Sequence, residues 1–281
     1  MHSTALTLPA RETKPRVRGL TMMIDNGLPT AHFLDVLSSF ADLIDVVKFG
    51  WGTSLVTNDL KYKIDSSAYH DVDYYFGGTL FEKFVAQGRF DDWRRFCDRY
   101  SCRSVEVSNG TIPMTNEVKA GYVAQLAGQY RVFSEVGYKD SQRSEQMPPQ
   151  QWVEFIAEDI AAGAYRVITE AREGGRSGIC HPNGELRSEL IEAIAASGIS
   201  PDELIFEAPT RELQITLIKR FGPDVSLGNI SPADLVGLET LRLGLRNDTF
   251  DSFDTVDPSD TFDLVSSGTG LPHRRPEPDH A

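Results

Sequence analysis

The chain has little cysteine, no basic excess and no long apolar run. Its cysteines, Cys97, Cys102 and Cys180, show no CxxC spacing. A low, odd count suits reduced thiols and argues against a disulfide framework. Cys97 falls on an amphipathic stretch, where a small buried hydrophobe is the simpler role. Asp and Glu number 41 against 28 Lys and Arg, a formal net charge of −13. Nucleic acid and anionic membranes are polyanions, so neither is the expected partner. No apolar run reaches the roughly 20 residues of a membrane span. The opening MHSTALTLPARETKPRVRG lacks the apolar region of a signal peptide, so a cytoplasmic location is expected. HxH and HExxH spacings are absent and the histidines are scattered, which speaks against zinc. No GxGxxG or P-loop pattern follows the first strand-like run, which weakens a nucleotide-binding sheet.

What the chain does have is one local context repeated. GLTMMID, DVVKFG, VDYYFGG, SVEVS, RVFSEV, YRVITE, LIFEA and VSLGNI are short β-like runs. Most end on a polar residue: Asp25, Lys48, Glu106, Glu135, Glu170, Glu207 and Asn229. Segments of helical period separate them. In PTAHFLDVLSSFADLI, for example, Phe33, Leu34, Leu37, Phe40, Ala41 and Ile44 share one face. Alternating strands and helices predict a parallel sheet. Eight runs with polar ends on nearly every one predict a (β/α)8 TIM barrel, whose active site lies at the strand C-termini. The expected organisation is a flexible lead-in over 1–18, a single barrel over 19–250 and a disordered acidic tail over 251–281.

The polar ends supply the candidate chemistry. Lys48 suits a Schiff-base nucleophile, an anion anchor or a general acid, with a salt bridge as the structural alternative. The following Gly50 to Ser54 offers backbone N–H groups and hydroxyls for an anion. Asp25, Glu106, Glu135, Glu170 and Glu207 crowd one rim and must share cations. A hard, oxygen-liganded Mg2+ fits that set, as does pairing with Lys48, Lys139 and Arg172. Arg172 and Arg176, in the Gly-rich stretch after the sixth run, suit a carboxylate or phosphate. Gly228, Asn229 and Ile230, leading into a helix, occupy a frequent phosphate position in barrels. Arg242 and Arg246 rank lower, as cations near a helix end.

IDNGLP (24–29), VVKFGWGTS (46–54), GGTLFE (77–82), VEVSNG (105–110), EVG.K (135–139), FEAP (206–209) and ETLR.GLR.DTF (239–250) resemble the phosphosulfolactate synthase family. The resemblance runs in order from about Gly19 to Phe250. It implies a TIM barrel that adds sulfite to phosphoenolpyruvate with Mg2+ and gives (2R)-phospho-3-sulfolactate. Lys139 matches the family lysine proposed to protonate C2, with Glu135 and Lys48 beside it. Lys48, Arg172, Arg176, Ser54, Ser108 and the GNIS turn would bind substrate. Asp25, Glu106, Glu170 and Glu207 would hold Mg2+ or orient the cations. Three places depart from the family pattern: Asn109 where Asp is usual, Tyr138 where a lysine is frequent, and Arg176 to Cys180 where a Gly-Lys-Gly-Ile-Gly-like run is more frequent. The partners expected are phosphoenolpyruvate and a nucleophile, with a homo-oligomeric assembly. A different nucleophile, a Lys48 Schiff-base aldolase and a non-catalytic stress-associated barrel are the competing readings.

Overall fold

The computed structural model describes residues 6–253. The strands are β1 (Thr21–Asp25), β2 (Val46–Phe49), β3 (Asp73–Phe76), β4 (Ser104–Val107), β5 (Arg131–Val136), β6 (Arg166–Thr169), β7 (Leu204–Glu207) and β8 (Leu227–Ile230). The helices are α1 (Thr30–Phe40), α2 (Leu60–Tyr69), α3 (Gly78–Ala86), α4 (Phe90–Arg99), α5 (Asn116–Leu126), α6 (Ser141–Gln146), α7 (Pro149–Ala161), α8 (Ser188–Ala196), α9 (Arg211–Phe221) and α10 (Leu235–Arg242). Each predicted strand is present. Helices α2 and α6 carry no clear apolar period and were not expected.

All pairs between these strands are parallel, in the order β3-β2-β1-β8-β7-β6-β5-β4. β3 and β4 are neighbours without a backbone ladder between them. Side chains bridge that seam at both ends. Ser104 donates to Asp73 Oδ2 at 2.6 Å near the strand starts, and the Gly78 N–H donates to Glu106 Oε1 at 2.5 Å near the strand ends. The result is a nearly closed (β/α)8 barrel.

Strand side chains alternate between two cores. Met22, Val46, Tyr75, Phe133, Ile168 and Ile205 cluster inside the barrel. Met23, Val47, Val105, Val132, Val167 and Phe206 pack against the helices. Tyr75 stacks on Phe133 with ring centroids 5.0 Å apart, which floors the barrel below the polar strand ends.

From Arg11 on, the lead-in is pinned to the barrel. Arg11 pairs with Asp224 and Glu239, and Arg16 pairs with Asp45. Arg242, fully buried, donates to the carbonyls of Pro223 and Val225, which gives it a structural role. Phe253 packs on the core, so the fold runs at least three residues past the boundary expected at 250. From residue 254 on, the predicted tail lies outside the described residues.

Candidate active site

The β1–β2 register places Ile24 opposite Lys48, and both face the barrel mouth. Lys48 Nζ lies 3.0 Å from Glu106 Oε2, 3.2 Å from Glu135 Oε2 and 3.2 Å from Glu207 Oε1. Burial disfavours its charge, but those three carboxylates outweigh burial and raise its pKa well above the usual lysine value. Lys139 enters from the loop after β5. Its Nζ donates to Thr79 Oγ1 at 3.0 Å and lies 3.5 Å from Glu135 Oε1 and 3.9 Å from Glu170 Oε2. Burial again opposes the charge, and Glu135 and Glu170 more than compensate, so its pKa is raised.

The carboxylates differ in state. Burial works to raise Glu135, yet Lys139 and Lys48 pull it down to about 2. Burial lifts Glu106 to about 7 against the pull of Lys48. Burial, then the fields of Glu207 and Glu135, push Glu170 well above the ordinary range. Backbone donors fix the rest. The Ala171 N–H donates to Glu207 Oε2 at 3.0 Å, and the Arg172 N–H donates to Glu170 Oε1 at 2.6 Å.

These groups line a cavity of about 440 Å³ at the C-terminal ends of the strands. Trp51, Thr79, Gly110, Thr111, Arg172 and Asn229 complete much of its wall. Trp51, Arg172 and Asn229 all have positive φ, at 50°, 54° and 55°. Such backbone is strained for non-glycine residues and gathers at functional sites. Asn229 is nine-tenths buried, and its Oδ1 has no hydrogen-bond partner.

The structure redistributes the predicted set. Lys48, Lys139, Glu106, Glu135, Glu170, Glu207, Arg172 and Asn229 meet at the cavity. Asp25 does not line it. Strand alternation turns Asp25 away, where its carboxylate takes Lys63 Nζ at 2.6 Å and the N–H groups of Gly27 and Leu28. Ser108 turns to Glu82, donating to Oε1 at 2.6 Å. Ser54 is buried but off the cavity wall, and Arg176 is exposed beyond it. Ile230 packs against the helices. Gly228 sits where a Cβ would come 3.1 Å from Ile205 Cγ2, so this glycine serves close packing. Ser231 caps its own turn, so of GNIS only Asn229 reaches the cavity. Sequence reasoning missed Thr79 and Glu82, although GGTLFE holds both.

A Schiff-base nucleophile must be a neutral amine. Three carboxylates hold Lys48 charged, so the geometry speaks against the aldolase reading. The strand-end position, the polar cavity and the two clamped lysines define a barrel enzyme for a small polar substrate.

The (2R)-phospho-3-sulfolactate synthase (ComA) family matches residues 9–248, and the chain belongs to that family. It is 48% identical over 250 residues to the phosphosulfolactate synthase of Bacillus subtilis (strain 168), covering 89% of this chain and 99% of that one. It is 35% identical to the phosphosulfolactate synthase of Methanothermobacter thermautotrophicus, covering 89% and 98%. Among solved structures, the YdjI aldolase from Escherichia coli K12 superposes with a TM-score of 0.53 at 12% identity, covering 77% of this chain and 76% of that one. That last likeness concerns the fold alone. The chain is thus an addition enzyme of the lyase type.

Proposed function

We propose that the protein adds sulfite to phosphoenolpyruvate, with Mg2+, to give (2R)-phospho-3-sulfolactate. One observation carries the choice of nucleophile. Every departure from the family pattern lies off the cavity wall. Asn109 is buried and donates to the Met114 carbonyl at 3.0 Å. Tyr138 stacks under Arg143 at 3.6 Å. Cys180 is buried in a bridge with Leu186, and Arg176 faces solvent. Lys48, Thr79, Glu106, Glu135, Lys139 and Glu207, which fall within the family-like motifs, do line the cavity.

The donor set fits a hard cation. Glu106, Glu135, Asp140, Glu170, Glu173 and Glu207 line the cavity against Lys48, Lys139 and Arg172. That excess of negative charge must be relieved before a trianionic substrate can enter. Glu135 Oε1, Glu170 Oε2 and Asn229 Oδ1 are buried without hydrogen-bond partners and would hold Mg2+. Among the described residues no group of three or more His, Cys, Asp or Glu side chains forms a ready-made cage. Mg2+ commonly binds through one or two carboxylates plus substrate oxygens, so none is needed. When bound, Mg2+ would stabilise negative charge gathering on the substrate carboxylate.

The chain's own residues do the remainder. Arg172 and Lys48 orient the phosphate and carboxylate. The sulfur lone pair of sulfite forms a bond to C3, and the C2–C3 π pair moves onto C2 and its carboxylate. Lys139 then gives a proton from Nζ to C2. Lys139 suits that step better than Lys48, because its two carboxylate partners stand off at 3.5 and 3.9 Å while three carboxylates clamp Lys48 at 3.0 to 3.2 Å. Incubation of the protein with phosphoenolpyruvate, sulfite and Mg2+, read by mass detection, tests the reading. Formation of phosphosulfolactate is expected. Its absence, with an adduct of another nucleophile from a panel, would overturn the choice of sulfite.

A further inference from the structure

Glu82 lies on α3, is 1% exposed, and pairs with no Lys or Arg among the described residues. It takes three donors from the loop after β4. Ser108 Oγ donates to Oε1 at 2.6 Å; the N–H groups of Thr111 and Ile112 donate to Oε2 at 2.7 and 2.9 Å. A buried carboxylate satisfied this way is stable only while the loop keeps its shape. The same loop reaches the active site. Gly110 and Thr111 line the cavity, and the Gly110 carbonyl accepts the Lys139 N–H at 3.2 Å. One turn earlier on α3, Thr79 Oγ1 holds Lys139 Nζ at 3.0 Å. Gly78 permits this approach, since a Cβ there would lie 2.3 Å from Ser108 Oγ.

We propose that Glu82 is a positioning residue, which sets Lys139 by fixing the 108–112 loop against α3. Both the main chain and the tip of Lys139 are then referenced to one helix. The carboxylate itself never meets substrate. The role assigned to Lys139 rests on the proposed function; the loop-fixing role does not.

Gln at position 82 keeps the network, because its Oε1 accepts from the two N–H groups while its amide donates to Ser108. Leu removes every acceptor, and Asp shortens the reach. In the sulfite and phosphoenolpyruvate assay, Glu82→Gln is expected within about threefold of wild type. Glu82→Leu and Glu82→Asp are expected to lose about 100-fold in kcat, the cost of roughly 1 Å of misplacement, with KM for phosphoenolpyruvate little changed. Wild-type turnover in either, or an equal loss in Glu82→Gln, would overturn the proposal. If Glu82→Leu does not fold, Glu82→Asp decides. Amide hydrogen exchange separates this proposal from the reaction itself. Protection of Thr111, Ile112 and Lys139 should fall in Glu82→Asp and persist in Glu82→Gln, whatever the substrate. Unchanged protection in Glu82→Asp would also overturn it.

Discussion

Ile24 stands opposite Lys48 in the β1–β2 ladder, so Asp25, one residue further, faces away from Lys48. Its partner is Lys63 Nζ at 2.6 Å, with both side chains almost fully buried. Removing one member of such a pair strands the other. Asp25→Ala should therefore destabilise the fold by about 3–5 kcal/mol. Urea unfolding measures the loss. The Mg2+ concentration for half activity should stay unchanged at temperatures where the variant is folded; a rise would return Asp25 to the metal site.

Lys139→Ala should lower kcat for phosphosulfolactate formation by about 100- to 10,000-fold, the range for loss of a general acid. KM for phosphoenolpyruvate should move far less. Steady-state kinetics decide this, and full activity in the variant would end the proton-donor assignment.

Lys48 holds Glu106, Glu135 and Glu207 together. Lys48→Met leaves three carboxylates facing one another. It should cost about 3–5 kcal/mol of stability and most of the activity. Borohydride trapping with a carbonyl substrate should give no adduct on wild-type protein, since the amine is held charged.

Glu106 rises from its ordinary 4.5 to about 7 in the fold. Below pH 4.5 both folded and unfolded chains carry this proton. Between 4.5 and about 7 the folded chain alone keeps it, so its contribution to stability falls as pH rises through that window. Glu106→Gln lacks this titration. Wild type minus Glu106→Gln unfolding free energy should therefore decrease by roughly 3 kcal/mol from pH 4.5 to pH 7.5. A flat difference in urea titrations would refute the raised pKa.

Chelation should abolish turnover, and Mg2+ should restore it. Glu170 keeps one buried oxygen without a hydrogen bond. Glu170→Gln should raise the Mg2+ concentration for half activity at least about 10-fold. An unshifted requirement would place the ion elsewhere.

The strands were legible because their apolar runs are short, rich in branched residues and closed by polar ends. The helices with an apolar stripe were legible for the same reason. Helix α2 was not, because Lys63 and Ser67 sit with Leu60 and Ile64 on its buried face. Its buried polar groups hide the period that marks a helix. Asp25 and Ser108 were misplaced at the site for a related reason: strand ends look alike in sequence, while facing depends on alternation and register.

By itself the sequence determined the (β/α)8 architecture and the family. Local periodicity is enough for the first, since it depends on each segment's own burial pattern, and the resemblance of motifs such as VVKFGWGTS and GGTLFE is enough for the second. Only the tertiary structure decided which strand-end groups meet. Lys48 and Lys139 lie far apart in the chain, and they share Glu135 because barrel closure brings β2 and β5 to one mouth. Burial there raises Glu106 and Glu170, while Lys139 and Lys48 overcome it at Glu135, so the charge states are a property of the assembled cavity rather than of any segment.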